Sequence, residues 1–210
     1  MKILRGASEA EVVAEFLKAE ITSSRFGQFE KETIAGLGLS EDLVTKPNLQ
    51  DEKENDARDK VLGLVRGWEE NKYLFENFPD DVKWELVEFS EDELSKFRRM
   101  NFGDGVRTVA EEAMQNSEFH VEEIVAGLQN GLVPANLILV MASGGTVPTV
   151  IEGHARATAY IQSGILANPY AYLGTSPKMS EWRGYAGQVG FGGAVGQGYL
   201  PGLTKSGFMV

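Results

Sequence analysis

Apolar and polar positions along this chain follow two periods, and the change from one to the other marks its elements. Behind Ser8, positions Val13, Phe16, Leu17 and Glu20 fall on helical spacing, and Ser8-x-x-Glu11 has the form of a capping box. A helix over residues 9–20 is predicted. Residues 28–50 are punctuated by Gly36, Gly38 and Pro47, which predicts a short helix and a loop. Ala57, Val61, Leu64, Val65 and Trp68 then recur at helical intervals, so a helix over 54–70 is predicted, with the alternating charges of Asp51–Lys60 on its solvated face. After the aromatic turn region of Tyr73-Leu74-Phe75 and Phe78-Pro79 the period becomes two. Val82, Trp84 and Leu86 share one face of a half-buried strand over 82–89. Ser90 is placed to cap a short helix carrying Leu94 and Phe97. Thr108-x-x-Glu111 is a second capping box, and Val121, Ile124, Val125 and Leu128 predict a helix that ends near Gly131, before Pro134.

The densest information lies in residues 136–164. Leu137–Met141 and Val147–Ile151 are apolar, β-branched runs separated by Ala142-Ser143-Gly144-Gly145-Thr146, and they read as two strands joined by a glycine turn. Ala155, Ala157 and Ala159 favour a helix over 154–163, with Gly164 as a left-handed cap. Tyr170–Leu173 is a candidate last strand. These strands are expected beside the Val82–Phe89 strand in a small mixed sheet surrounded by helices, an α+β fold. The chain divides into an N-terminal helical region over 1–80, an α+β core over 81–183, and a tail over 184–210 in which nine residues are glycine. No strand precedes those glycines and their spacing departs from G-x-G-x-x-G at Val195, which argues against a dinucleotide site there.

Candidate chemistry gathers at the strand-to-helix junction of Glu152, Gly153, His154 and Arg156. A helix N-terminus presents unpaired amides and a partial positive charge, so an arginine in its first turn conflicts with the field unless an anion sits there. A phosphate or carboxylate would resolve the conflict, and Gly153 has no side chain to obstruct one. Pairing of Arg156 with a surface carboxylate, with Glu152 complementing the helix dipole, is the plain alternative. A second stretch, Asn101-Phe102-Gly103-Asp104-Gly105-Val106-Arg107-Thr108, places Arg107 and Thr108 at another helix start, and the two arginines together would form a bipartite anion clamp.

The segment Gly153-His154-Ala155-Arg156-Ala157-Thr158-Ala159 fits the G-x-x-R-x-x-A box of the ParB/sulfiredoxin superfamily. The acid-Gly-His-x-Arg order resembles the variant found in its free-serine-kinase-like members, and strand, glycine turn, strand, box and helix follow in the order which that superfamily uses. Arg107 and Thr108 resemble the Gly-x-Arg-Thr-like loop of such proteins. The resemblance implies that Gly153, Arg156, Arg107 and Thr108 hold nucleotide phosphates, ATP, ADP or CTP with Mg²⁺. It also implies that Glu152 serves as general base or metal ligand and His154 as phosphate contact or proton donor. Glu152 stands where the kinase-like pattern has aspartate, and His154 stands where the sulfiredoxins have their reactive cysteine.

Composition narrows these classes. The 210 residues contain no cysteine, which removes sulfinic acid reduction, thiolate metal sites and cysteine nucleophiles. A net charge of −11 argues against a broad nucleic-acid footprint, and only a Gly-rich tail follows the box, where DNA-partitioning relatives carry a helix-turn-helix domain. No apolar run approaches the roughly 20 residues of a membrane span. Met1–Arg5 is expected to lead straight into the first helix without a signal-peptide core, which makes the chain a cytoplasmic protein. With only His120 and His154, no metal-ligand spacing is present. The expected function is binding of a nucleotide or another anionic small molecule, either with phosphotransfer or hydrolysis, or as a non-enzymatic nucleotide-sensing or interaction regulator of phage or plasmid type. The tail aromatics Tyr185, Phe191, Tyr199 and Phe208 offer a route to docking on the body or to a homo-oligomer.

Overall fold

The computed structural model describes residues 1–24, 26–66, 77–100, 106–115, 120–182 and 184–185. Arg25, the last turn of the 54–70 helix with Trp68, the Tyr73–Phe75 turn, the Asn101–Gly105 loop and the tail from residue 186 lie outside the described residues.

The chain builds an α+β fold around one mixed sheet of six strands. These are β1 (Lys2–Ala7), β2 (Lys83–Glu88), β3 (Arg98–Arg99), β4 (Leu137–Ala142), β5 (Thr149–Glu152) and β6 (Tyr170–Ser176), in the spatial order β1-β2-β6-β4-β5-β3. Pairing is antiparallel for β1 with β2, β2 with β6 and β4 with β5, and parallel for β4 with β6 and β3 with β5. Helices α1 (Glu9–Glu20), α2 (Gly27–Gly36), α3 (Asp42–Thr45) and α4 (Glu52–Arg66) precede β2, and α5 (Glu91–Lys96), α6 (Val109–Gln115), α7 (Val121–Gln129) and α8 (His154–Ser163) are distributed among the later strands.

The reason for a sheet covered on both faces is written in β4. Leu137, Ile138, Leu139 and Val140 are all fully buried, and a run without polar alternation belongs to a strand with apolar neighbours on each side. Ile138 and Val140 join Val12, Phe16, Val44, Val61 and Leu62 of the N-terminal helices; Leu137 and Leu139 join Leu94, Val109, Val121, Ala157 and Tyr160 of the later helices. The same alternation continues in β5, where Val150 faces one cluster and Ile151 the other. Each fully buried aliphatic side chain contributes roughly 1.5–3 kcal/mol of transfer free energy.

Two expectations are corrected. Residues 2–7 form an edge strand rather than the lead into a helix, because Lys2, Ile3, Arg5, Gly6 and Ala7 pair with β2 across a bulge at Leu4. The strands β4 and β5 do not lie directly beside β2, since β6 intervenes and satisfies the inner edge of each neighbour. The two-residue strand β3 has no counterpart in the sequence pattern. The caps hold as read: Ser8 accepts the Glu11 amide, Ser90 and Glu93 form a reciprocal capping box, and Thr108 and Glu111 form another. No described helix is long and apolar enough to cross a membrane.

Candidate functional site

The start of β4, the ends of β5 and β3 and the start of β6 meet at one end of the sheet, and α8 begins there. Gly153 is the N-cap of α8 at φ 94°, a left-handed conformation that glycine adopts without steric cost. No side chain caps this helix and its first turn holds no acid, whereas each of the other seven described helices places at least one Asp or Glu in its first turn. An added Cβ on Gly153 would stand 2.6 Å from Leu137 Cδ2 and 2.8 Å from Arg156 Nη2, so the guanidinium lies directly over the glycine.

Arg156 is held by protein groups. Its Nη2 lies 3.3 Å from Glu152 Oε1 and donates at 3.5 Å to the carbonyl of Asn136, and both charged side chains are only 12% exposed. Among the described residues its Nε is buried without a hydrogen-bond partner. Asn136 is the hub of the surrounding network. Its N–H donates to Glu15 Oε1 at 2.6 Å, tying α1 to β4, and its Oδ1 accepts from Asn168 Nδ2 at 2.9 Å. One turn along α8, Tyr160 is buried and its hydroxyl is pushed up to about 12, burial outweighing the opposing pull of Arg156.

His154 faces β3. The Met100 N–H donates to His154 Nε2 at 3.3 Å, so this nitrogen carries the lone pair and the neutral ring holds its proton on Nδ1. Proton donation from Nε2 would require that bond to break.

Arg107 and Thr108 lie at the start of α6. Arg107 Nη1 is 3.4 Å from Glu112 Oε2, and Arg99 Nη1 is 2.7 Å from the same oxygen; Glu112 is fully buried. The Arg99 N–H donates to the Arg107 carbonyl at 2.9 Å, and Arg98 bridges Thr108, which fixes the two segments side by side. Of the residues selected from sequence, Glu152, Gly153 and Arg156 are brought into contact. His154 joins them to β3, while Arg107 is engaged by a different carboxylate from the one that holds Arg156. Thr108 spends its hydroxyl on the α6 cap.

Sequence reasoning missed Asn136, Arg99 and Glu112. The Arg98-Arg99 doublet just after an apolar Phe97 and the second acid of the α6 first turn are the signals that point to the last two. Asn136 acts partly through backbone atoms, which carry no residue signal. Among the described residues no group of three or more His, Asp and Glu is arranged to hold a metal ion. Comparison of the chain with family models, with curated proteins and with solved structures found no match.

Proposed function

We propose that this chain is a ParB/sulfiredoxin-like nucleotide-binding protein whose α8 N-terminus receives the phosphates, and that it acts as a sensing or regulatory module rather than as a phosphotransferase. The observation that carries the reading is the start of α8: no capping side chain, no acid in the first turn, and a guanidinium lying over a left-handed glycine. A phosphate there would face the amides of the first turn of α8 and would compete with Glu152 for Arg156. Mg²⁺ would accompany the nucleotide on its phosphate oxygens, with water completing its shell.

Glu152 and His154 favour binding over turnover. Glu152 Oε1 faces Arg156 and His154 Nε2 accepts from the Met100 amide, so neither of these atoms can take a substrate proton without rearrangement. Phosphotransfer or hydrolysis with Glu152 Oε1 as the base would require that oxygen to leave Arg156.

The test is calorimetric titration with ATP, ADP and CTP in the presence of Mg²⁺, on the wild type and on Arg156→Gln, which keeps a hydrogen-bonding partner for Glu152. Saturable binding that is lost in the variant supports the reading. Absence of binding at millimolar nucleotide overturns it. Nucleotide turnover that disappears in Glu152→Gln would replace the sensing role with an enzymatic one.

A further inference from the structure

Asn136 stands one residue before β4, whose register with β6 begins at Leu137 and Ala171. Its carbonyl is one of two acceptors that Arg156 Nη2 meets, at 3.5 Å, the other being Glu152 Oε1 at 3.3 Å. Both contacts are long. A guanidinium and a carboxylate free to close on each other reach about 2.7–2.9 Å, so Nη2 is held between the two acceptors rather than drawn fully onto the charge.

Asn168 fixes the segment that carries this carbonyl. It is only 8% exposed, just before β6. Its Nδ2 donates to the Pro134 carbonyl at 2.8 Å and to Asn136 Oδ1 at 2.9 Å, and its Oδ1 accepts from the Tyr170 N–H at 3.2 Å. The side-chain amide thus grips residues 134–136 at both ends while tied to β6, and Glu15 of α1 adds a further tie at the Asn136 N–H. An aspartate at 168 would match the shape, but once ionised it has no donor and would turn an oxygen toward two oxygens.

We propose that Asn168 is a positioning residue for Arg156: by fixing the 134–136 segment it keeps the Asn136 carbonyl against Nη2 and so prevents the guanidinium from closing on Glu152. The consequence for phosphate binding rests on the reading of α8 given above; the positioning itself does not. With the carbonyl displaced, Arg156 would pair more tightly with Glu152, and a phosphate would have to break a stronger contact to reach it.

The test reads Arg156 directly. Side-chain ¹⁵N–¹H spectra of the full chain give its Nε–H signal, identified by its loss in Arg156→Gln. Asn168→Asp should shift this signal. Asn136→Ala removes one tie at a half-buried side chain and leaves the backbone carbonyl, so it should shift the signal in the same direction by less, and it carries the test if Asn168→Asp does not fold. Val65→Ala, a destabilising change in the core on the other face of the sheet, should leave it in place. In calorimetric titrations with ATP, ADP and CTP plus Mg²⁺, Asn168→Asp should weaken whichever nucleotide the wild type binds by about tenfold, the range of one charge-assisted contact. In a Glu152→Gln background the same change should cost less than about twofold, because no charge is left for the guanidinium to close on. An Arg156 signal unmoved in the folded variants, or moved equally by Val65→Ala, would overturn the proposal, as would an equal loss of affinity with and without Glu152→Gln. Failure of the wild type to bind any of the three nucleotides would overturn the phosphate reading alone, and the Arg156 signal would still decide the positioning.

Discussion

Glu30 of α2 is fully buried, both of its carboxylate oxygens lack a hydrogen-bond partner among the described residues, and Glu20, itself nearly buried, bears on it. Burial first and the Glu20 charge second push its carboxyl up from 4.5 to about 8. The folded chain therefore keeps a proton that the unfolded chain releases above about pH 4.5. Stability contributed by this group is fully present below that pH, declines through the interval as pH rises, and is gone above about 8, where both states are ionised. Within the interval the slope is roughly 1.4 kcal/mol per pH unit, so near pH 7 the ionised unfolded state is favoured by about 3 kcal/mol relative to the acid limit. Glu30→Gln keeps the shape and removes the titration. Urea unfolding of both proteins at pH 5.5, 6.5, 7.5 and 8.5 should show the variant gaining on the wild type by roughly 1.4 kcal/mol per unit and then levelling. Parallel pH curves for the two proteins would refute the reasoning, because every other titrating group is common to both.

Two further outcomes follow from geometry. Gly153→Ala forces a Cβ into Leu137 and Arg156 at a left-handed φ, and should lower stability by about 1–3 kcal/mol in urea titration; a neutral result would mean that the start of α8 is looser than described. Arg58→Ala leaves the Leu43 and Asn48 carbonyls without their donor and should cost about 3 kcal/mol or more, and a loss below about 1 kcal/mol would show that the α3–α4 connection does not depend on it.

Much of the architecture is legible from periodicity. The Leu137–Val140 run, the glycine turn and the Gly164 cap give β4, β5 and α8 nearly to the residue, because each is fixed by local chemistry that the chain carries within a few positions. The edges of the sheet are not legible in this way. β1 has no apolar alternation, being exposed almost throughout, and β3 is two arginines long; both owe their conformation to pairing with strands distant in sequence. The site divides likewise. Gly153 and Arg156 are visible from the helix start, but the choice of Glu152 as the partner of Arg156, the role of the Asn136 carbonyl and the convergence of Arg99 and Arg107 on Glu112 depend on which strand ends meet in space.

The pairing of β1 with β2 spans residues 8–82, so the four described helices α1 to α4 are strung between two neighbouring strands at one margin of the sheet. The helices α1 to α4, which share that face of β4 with Met179, Trp182 and Tyr185, thus belong to a single excursion closed by six residues at the amino-terminal end. Closure entropy rises only logarithmically with the length of such an excursion, yet it must be met before the pairing returns any stabilisation. The margin strand should therefore be among the last parts to order and the first to release. Its release would free the tether of the whole N-terminal layer while leaving the β4–β6 centre paired, giving the molecule a seam along which it can open in one step.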